Sequence, residues 1–112
     1  MQNNEFITPP NHKAFLAKKI FGNVGEITDG SIAYMEAGGG GPIEQHTHPH
    51  SHLFIVVDGE AKLLLGDKEI ILKADESFLV DGTIPHSLWN NSDKTTKAIG
   101  ITIKKIICLK KM

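Results

Sequence analysis

Short strand-like runs separated by turn signals fill most of this 112-residue chain, and no long amphipathic helical pattern interrupts them. The apolar run LFIVV ends at Asp-Gly, and the two arms of AKLLLGDKEIILK flank Gly-Asp as in a hairpin. Seven or more short strands at this spacing predict an all-β sandwich or barrel. The predicted strand segments, with their closing turns, are 31–37, 53–59, the hairpin 61–73, 77–82, 86–90 and 95–109.

Two stretches lie outside this strand pattern. The run GGGGP at 38–42 is predicted to be a turn that belongs to neither neighbouring strand, because it is too rich in glycine. Residues 13–22 fit either a short helical turn or an irregular strand. We therefore predict one domain over 1–112, with an N-terminal arm at 1–22.

Charge and cysteine content exclude several classes of protein. The 12 basic and 13 acidic residues nearly balance, so the chain has no basic field for nucleic acid or for an anionic membrane. Cys108 is the only cysteine, so no internal disulfide forms, and the N-terminus lacks a signal-peptide pattern. No apolar stretch approaches the roughly 20 residues of a membrane-spanning helix. We therefore expect a soluble cytoplasmic protein whose partners are neither nucleic acid nor membrane.

Four of the six histidines lie within the heptapeptide HTHPHSH. Residues i and i+2 of a strand face the same side roughly 6.6 Å apart along the chain, so His46 and His48 form a chelating pair. Because proline marks the end or the edge of a strand, the chain should turn at Pro49 and bring His52 back on the next strand. Three ligands on one side of an ion leave other coordination positions open. The alternative is an exposed polar strand that binds metals only incidentally.

The remaining three histidines differ in their sequence context. His86 opens a late strand after Pro85, and only the fold can bring it to the other histidines. His50 lies at the expected turn, where it is either solvated or takes the place of His52 as a ligand. His12 in the arm is expected to be an ordinary surface histidine.

The histidine spacing resembles that of a small single-domain cupin. The first cupin motif, G-x5-H-x-H-x3/4-E-x6-G, is matched in every spacing by Gly40, His46, His48, His52 and Gly59. The departure is His52, which stands where the family usually has glutamate. Small cupins with four histidines and no glutamate are the most similar.

The second cupin motif, G-x5-P-x-G-x2-H-x3-N, is matched more loosely. Gly82 matches, whereas Ala74 and Val80 stand where glycine and proline are usual. His86 follows Gly82 after three residues rather than two, and the step from His86 to Asn90 matches again.

This resemblance implies a double-stranded β-helix, the cupin jelly roll barrel, with its core at residues 30–103 and a metal ion inside the barrel. It implies a homodimer in which the 1–22 arm exchanges strands with its partner. It also implies four metal ligands, which are His46, His48, His52 and His86.

Four neutral ligands would leave a divalent ion its full charge, which a glutamate would reduce. This lowers the pKa of bound water and favours an anionic or enolate-like ligand. Zinc, iron, manganese, nickel and copper all remain candidates, because imidazole ligands do not choose among such ions. Since the ligands must be neutral, the metal should be lost as the pH falls through the histidine range near about 6.

Strand alternation predicts the wall of a pocket beside the metal. Residues two or four positions after His52 or His86 on the same strand should face inward with these histidines, and most of them are apolar. Tyr34 is added from the adjacent strand. The predicted pocket residues are Tyr34, Phe54, Val56, Leu88 and Asn90.

Three residues near the predicted site have alternative interpretations. Tyr34 either lines the cavity or packs in the core. Trp89, of opposite parity to the metal ligand on its strand, should lie on the outer face or at a dimer contact. Glu44 shares parity with His46 and is the nearest carboxylate in sequence, so it is either a catalytic proton acceptor or a rim residue facing water.

Two functions of different classes fit this pattern. The first is a metal-dependent dioxygenase, or a related isomerase or cyclase, acting on a small organic molecule inside the barrel. The second is a non-catalytic module, such as a sensor, that binds a small molecule or a metal. In a third, purely structural interpretation, a metal ion bound by the histidines only stabilises the fold by joining residues 46–52 to residue 86. A coordination position on the metal that is open to water would count against this interpretation.

Overall fold

The computed structural model describes residues 5–104, which form eight β-strands. No helix in this part of the chain is long and apolar enough to cross a membrane. Cys108 and the last part of the predicted 95–109 segment lie outside the described residues. The strands are β1 (Glu26–Met35), β2 (Gly40–His46), β3 (Ser51–Asp58), β4 (Glu60–Leu65), β5 (Lys68–Lys73), β6 (Ser77–Val80), β7 (His86–Asn90) and β8 (Thr96–Lys104).

The strands form two four-stranded sheets, with the order β1-β8-β3-β6 in one and β2-β7-β4-β5 in the other. Within each sheet, all neighbouring strands pair in the antiparallel direction. Most neighbours within a sheet are distant in sequence, so the chain crosses repeatedly from one sheet to the other, as in a jelly roll. This confirms the all-β class and the double-stranded β-helix.

The hydrophobic core lies between the two sheets. In β4, Ala61 and Leu63 are fully buried, whereas the alternate residues Lys62 and Leu64 are only partly buried. Alternate residues of a strand face opposite sides, and fully burying a leucine contributes about 2 kcal/mol. The buried core residues are Val56, Ala61, Leu63, Leu72, Val80 and Leu88, against which Met35, Phe54, Leu65, Ile70 and Phe78 pack.

Several strand predictions are confirmed in position. β7 has the predicted bounds 86–90, and β3 and β6 fall on the predicted apolar runs. The predicted hairpin 61–73 consists of β4 and β5, and it turns at Gly66, whose φ is 62°. Local turn chemistry and alternation were sufficient for these elements.

The prediction for the tetraglycine run is wrong in part. Gly40 and Gly41 belong to β2 and pair with Trp89 and Leu88 of β7. Gly40 has a φ of 147°, and a Cβ placed on it would lie 2.5 Å from the carbonyl oxygen of Leu88. The strands approach so closely here that the strand itself requires glycine.

β1 also begins earlier than the sequence predicts. It starts at Glu26 rather than at 31, and it pairs with β8 along its length. A register shift between Ile27 and Asp29 keeps its first residues paired. The turn-like sequence of this region is therefore overridden by tertiary pairing with β8.

The N-terminal arm is irregular in its described part. One isolated bridge joins Ile7 and Ala17, whose backbone N–O distances are 2.8 and 2.7 Å. The Nζ atom of Lys18 donates a hydrogen bond of 2.6 Å to the carbonyl oxygen of Asp75, and this contact ties the arm to the barrel. Residues 13–22 contain no helical turn, and their only β-pairing is the bridge at Ala17, which agrees better with the irregular strand than with the helical turn.

Candidate metal centre

Three strands and one turn bring the histidines together. His46 ends β2 and pairs with His86, the first residue of β7, in one sheet. His52 lies at the start of β3 in the other sheet. His48 lies in the connection between β2 and β3, which confirms the turn predicted at Pro49. The cluster therefore joins both sheets at one end of the barrel.

The imidazole rings of the four predicted ligands are neighbours. The ring centroid of His48 lies 4.7 Å from that of His52 and 4.8 Å from that of His86. His46 lies 4.9 Å from His48 and 5.0 Å from His86, and His52 lies 5.7 Å from His86. These five ring pairs are edge-on, with interplanar angles between 70° and 88°.

Hydrogen bonds to the backbone determine which nitrogen faces the cluster in two of the rings. The Nδ1 atom of His48 lies 2.8 Å from the carbonyl oxygen of His50, and that of His86 lies 2.8 Å from the carbonyl oxygen of Ile84. Because a carbonyl oxygen only accepts, each Nδ1 carries the proton and donates. Each Nε2 is therefore the unprotonated nitrogen, the form in which imidazole binds a metal. The Nε2 atoms of His48 and His52 lie 3.1 Å apart, so the Nε2–H of His52 donates a hydrogen bond to the Nε2 lone pair of His48.

The Nε2 atom of His86 tests whether this donor set fits a metal ion. His86 is 2% exposed, and within the described residues its Nε2 has no hydrogen-bond partner. An unsatisfied buried polar atom costs about 1–3 kcal/mol, so folded proteins seldom retain one without a reason. A metal ion bound to this lone pair would remove the cost. The donor set therefore fits a metal ion.

The electrostatics of the cluster keep two of its rings neutral. Burial, and after it the neighbouring histidines, lower the pKa of His52 from 6.5 to about 4. Burial also lowers the pKa of His86, although the carbonyl oxygen of Ile84 opposes this. Both imidazoles are consequently neutral near pH 7 and keep their lone pairs for coordination.

The ligand atoms of five histidines fall into two groups that share one member. In each group the candidate nitrogens lie within 4.8 Å of one another, and the groups are His46, His48 and His86, and His48, His50 and His52. The ring of His50 stacks on that of His48, with centroids 3.9 Å apart and an interplanar angle of 6°. His50 is therefore only partly exposed, and it belongs to the cluster.

Gly82 supports the turn that carries the central histidine. The backbone N–H of His48 donates a 2.8 Å hydrogen bond to the carbonyl oxygen of Gly82. A Cβ on Gly82 would lie 2.6 Å from Nδ1 of His48 and would overlap the carbonyl oxygen of His50. The glycine of the second motif thus leaves room for the histidine turn of the first motif.

A cavity of about 440 Å³ lies beside the histidine cluster. Phe54 links the two, since its ring forms part of the cavity wall and also packs on His52, with centroids 5.3 Å apart and an interplanar angle of 25°. Leu88, two residues after His86 on β7, lies on the same wall. The complete lining is Ala33, Tyr34, Met35, Glu36, Gly39, Gly40, Gly41, Phe54 and Leu88.

Comparison with known families identifies the chain. Residues 32–102 match the model of the cupin domain family, Cupin_2. The chain is a cupin. Among curated proteins, none matches the sequence significantly.

Solved structures similar to this cupin show the same fold at low sequence identity. The cupin domain of Cnp3 from Schizosaccharomyces pombe is 16% identical over 68% of this chain and 52% of that one, with a TM-score of 0.61. A predicted oxalate decarboxylase from Thermotoga maritima is 14% identical over 70% and 68% of the two chains, with a TM-score of 0.63. An RmlC-like cupin from Shewanella frigidimarina is 23% identical over 70% and 67%, with a TM-score of 0.60. At these identities the likeness is one of fold, and this cupin spans about half the length of the Cnp3 chain.

Glu44 of this cupin does not occupy the position that strand parity predicted. The β2–β7 register shifts between Gly41 and His46, so that four residues of β2 lie opposite one residue of β7, Ser87. Glu44 lies in this bulge and is exposed. Within the bulge, Glu44 no longer has to face the same side of the strand as His46, and its exposure agrees with the alternative of a rim residue facing water.

The other predicted pocket residues have different surroundings. Tyr34 borders the cavity but is 65% exposed, which corrects the core-packing alternative. Val56 is fully buried in the core. The Asn90 amide donates to the carbonyl oxygens of Met35, at 2.8 Å, and Lys94, at 2.6 Å, which makes it an anchor for the end of β7.

The sequence understates the roles of two residues. Spacing predicts that His50 is solvated or replaces His52, and it does not specify the turn geometry that brings the His50 ring against that of His48. Gly82 matches the second motif in the sequence, and in the structure it lies against His48. For His50, the density of histidines in HTHPHSH is the sequence signal that points to the cluster.

Proposed function

We propose that this cupin binds one divalent transition metal ion through His46, His48, His52 and His86 and uses it on a small organic molecule in the adjacent cavity. The reaction is of the dioxygenase, isomerase or cyclase type. The single observation that carries this proposal is the buried Nε2 atom of His86, which has no hydrogen-bond partner among the described residues and faces the other imidazoles.

The neutral donor set supports a particular kind of chemistry. When bound, a divalent ion supplies Lewis acidity, and four imidazoles leave its charge uncompensated. Such a site favours an anionic oxygen ligand, such as an enolate or a carboxylate, over a neutral one. The lowered pKa values of His52 and His86 support the same proposal, because neutral rings do not have to release protons before coordination.

The cavity supports a small, largely apolar ligand. Phe54, Leu88 and Met35 supply apolar surface, and Phe54 brings that surface into contact with the ring of His52. A molecule with one oxygen donor and an apolar body would place the donor toward the histidines and the body against these side chains. Glu36 and Tyr34, which are both exposed, line the same cavity.

A second copy of the chain is the partner that we propose. β1 lies at the edge of its sheet and pairs with β8 alone among the named strands. Its side chains Ile27, Ile32 and Tyr34 are 57%, 61% and 65% exposed. An exposed apolar edge strand is an aggregation hazard unless another surface covers it, which supports a homodimer through β1.

Metal analysis tests the proposed function. Tag-free protein is incubated separately with zinc, iron(II), manganese, nickel and copper ions, desalted, and analysed by inductively coupled plasma mass spectrometry. We expect about one equivalent of at least one metal in the wild type, sharply reduced in His48→Ala and unchanged in His12→Ala. His12 is a matched control because its ring contacts Phe15 in the arm, outside the cluster.

The outcome separates the candidate functions. Protein that takes up none of these metals overturns the proposal. Stoichiometric metal without turnover of any small-molecule substrate, but with saturable binding of such molecules, would favour the non-catalytic module. Bound iron, copper or manganese would direct the substrate search to oxygen-dependent reactions.

A further inference from the structure

We propose that Glu36 selects the ligand of the cavity beside the histidine cluster, and that it favours a small monoanion with a neutral or cationic far end over a dicarboxylate. This inference rests on the proposed function, because it concerns the same cavity and the same metal. It adds the charge at the end of the ligand that points away from the metal. Glu36 is thus a specificity-determining residue, not a catalytic one.

Glu36 is the single charged residue among the described residues that line the cavity. Apart from Tyr34, the rest of the lining is glycine, alanine, methionine, phenylalanine and leucine. A carboxylate at the far end of a ligand would therefore meet another carboxylate and no cation. Like charges repel, and a charge placed against apolar surface loses hydration without compensation. The lining consequently disfavours a ligand with a second carboxylate.

Asn90 holds the turn that carries Glu36. The Nδ2 atom of Asn90 donates a 2.8 Å hydrogen bond to the carbonyl oxygen of Met35, and its backbone N–H donates one of 2.9 Å to that of Gly39. Within the turn, the N–H of Gly39 donates a 2.7 Å hydrogen bond to the carbonyl oxygen of Glu36. Residues on both sides of Glu36 are thus fixed to the end of β7, the strand that also carries Leu88 of the cavity wall. The Glu36 carboxylate therefore stays within one side-chain length of this wall.

Lys97 contacts the lining but does not itself line the cavity. Its Nζ atom lies 5.5 Å from the ring centroid of Tyr34, with which it pairs across β1 and β8. The neighbouring residues Met35 and Ala98 face the core, and alternate residues of a strand face opposite sides. Lys97 and Tyr34 therefore face away from the core. Within residues 5–104 the Glu36 side chain has no ion pair, so its charge is available to a ligand.

A ligand that fits both ends of the cavity carries one anionic oxygen donor, an apolar body and a hydrogen-bond donor. The anionic oxygen faces the histidines, where neutral imidazoles leave the charge of an ion uncompensated. The body packs on Phe54, whose ring lines the cavity and contacts that of His52. At the far end, Glu36 accepts a hydrogen bond from an amine, amide or hydroxyl group. The ligand class is therefore a monocarboxylate or an enolate with such a donor at its far end.

Three benzoates of similar shape test this inference on metal-loaded protein. Benzoate, terephthalate and 4-(aminomethyl)benzoate share a ring and one carboxylate, and they place an apolar, an anionic or a cationic group at the opposite end. The protein is loaded with the metal that the wild type retains in the previous experiment, and its metal content is measured before each titration. Isothermal titration calorimetry gives the dissociation constants, and circular dichroism verifies that each variant is folded.

The measured quantity is the ratio of the dissociation constant of terephthalate to that of 4-(aminomethyl)benzoate. In the wild type at low salt this ratio should be about three or more, and Glu36→Gln should lower it by about threefold, because the substitution removes the charge and keeps the shape. Added salt should lower the wild-type ratio, since it screens an exposed charge.

Two control variants change the charge elsewhere. Glu69→Gln is matched to Glu36→Gln, because Glu69 is exposed on β5, at the opposite edge of its sheet from β2. Lys97→Met removes the cation that contacts Tyr34. Both variants should keep the wild-type ratio within about twofold, because exposed charges outside the cavity are screened.

Different outcomes overturn different claims. A wild-type ratio of one or less, or equal ratios in the wild type and Glu36→Gln, would overturn this inference and leave the metal site intact. A ratio that changes in Lys97→Met and not in Glu36→Gln would overturn the role of Glu36. Metal-loaded protein that binds none of the three benzoates would overturn the ligand class. A wild type that retains no metal would overturn the proposed function itself.

Discussion

Gly82 packs against the carbonyl oxygen of His50, so closely that no side chain fits between them. The two residues come from the two motifs of the sequence, and the backbone hydrogen bond from His48 to Gly82 joins the same segments. The turn that presents His48 is thus shaped by a loop more than thirty residues away. The position of His48, a candidate metal ligand, and the packing of this loop are therefore coupled.

Replacing Gly82 with alanine should reveal this coupling. The new Cβ would lie 2.6 Å from Nδ1 of His48, inside van der Waals contact, and backbone atoms would have to move. We expect Gly82→Ala to lower the free energy of unfolding by about 1–3 kcal/mol and to weaken metal binding by about tenfold or more. Urea unfolding and chelator competition measure the two effects.

Gly30→Ala is the matched control for that substitution. A Cβ on Gly30 would meet only the carbonyl oxygen of Gly100, at 3.9 Å. Its metal affinity should equal that of the wild type. A Gly82→Ala protein with wild-type affinity would show that the His48 turn does not depend on this contact.

The substitution His86→Leu distinguishes two effects of His86 on the free energy of unfolding: destabilisation by its unpaired Nε2 atom without metal, and stabilisation by coordination when metal is bound. Without metal, loss of the unpaired Nε2 offsets loss of the hydrogen bond to Ile84, so stability should stay within about 1 kcal/mol of the wild type. With metal at a hundred times the dissociation constant, the wild type should gain about 2.7 kcal/mol. The gain in His86→Leu should be clearly smaller. Differential scanning calorimetry with and without metal is the measurement, and an equal gain in both proteins would remove His86 from the ligand set.

Local sequence was a sufficient guide wherever an element is defined by its own turns and alternation. β7 and the β4–β5 hairpin are of this kind, as is the return of His52 at the start of β3. Prediction failed where distant strands decide the local geometry. The bulge that exposes Glu44 exists because β2 must remain paired with β7 on both sides of it.

The contribution of His50 illustrates the same limit within the site. Spacing identifies residues that share a face of a regular strand, but His48 and His50 lie in a turn. Their rings stack because the backbone there folds onto Gly82, which no local pattern encodes. For Tyr34 only the core-packing alternative is wrong, because Tyr34 lies on an edge strand, borders the cavity and is 65% exposed.

Acidification should destabilise the metal-free protein, with His52 as the main contributor. Its pKa is 6.5 in the unfolded chain and about 4 in the folded one. Between these values the unfolded chain binds more protons, so the free energy of unfolding falls as the pH falls, by up to about 1.4 kcal/mol per pH unit. His86, whose pKa is also lowered, adds to this loss. The loss should begin below pH 6.5 and be complete near pH 4.

Urea unfolding at several pH values checks this dependence. His52→Gln removes the titrating group, so its stability should depend less steeply on pH than that of the wild type. His12→Ala should keep the wild-type slope. A wild-type stability that is constant from pH 7 to about pH 4.5 would contradict the lowered pKa of His52.

Charge placed on the exposed face of β1 should weaken the proposed homodimer. Ile32 is 61% exposed in the isolated chain, and a lysine there would have to be desolvated or would repel its counterpart at a two-fold interface. We expect the wild type to have twice the chain mass by light scattering after size exclusion, and Ile32→Lys to shift toward the monomer mass. Ile43→Lys is the matched control, because Ile43 is 88% exposed but lies in the β2 bulge on the other sheet. If both variants dissociate alike, or if the wild type is a monomer at micromolar concentration, the dimer contact does not lie along β1.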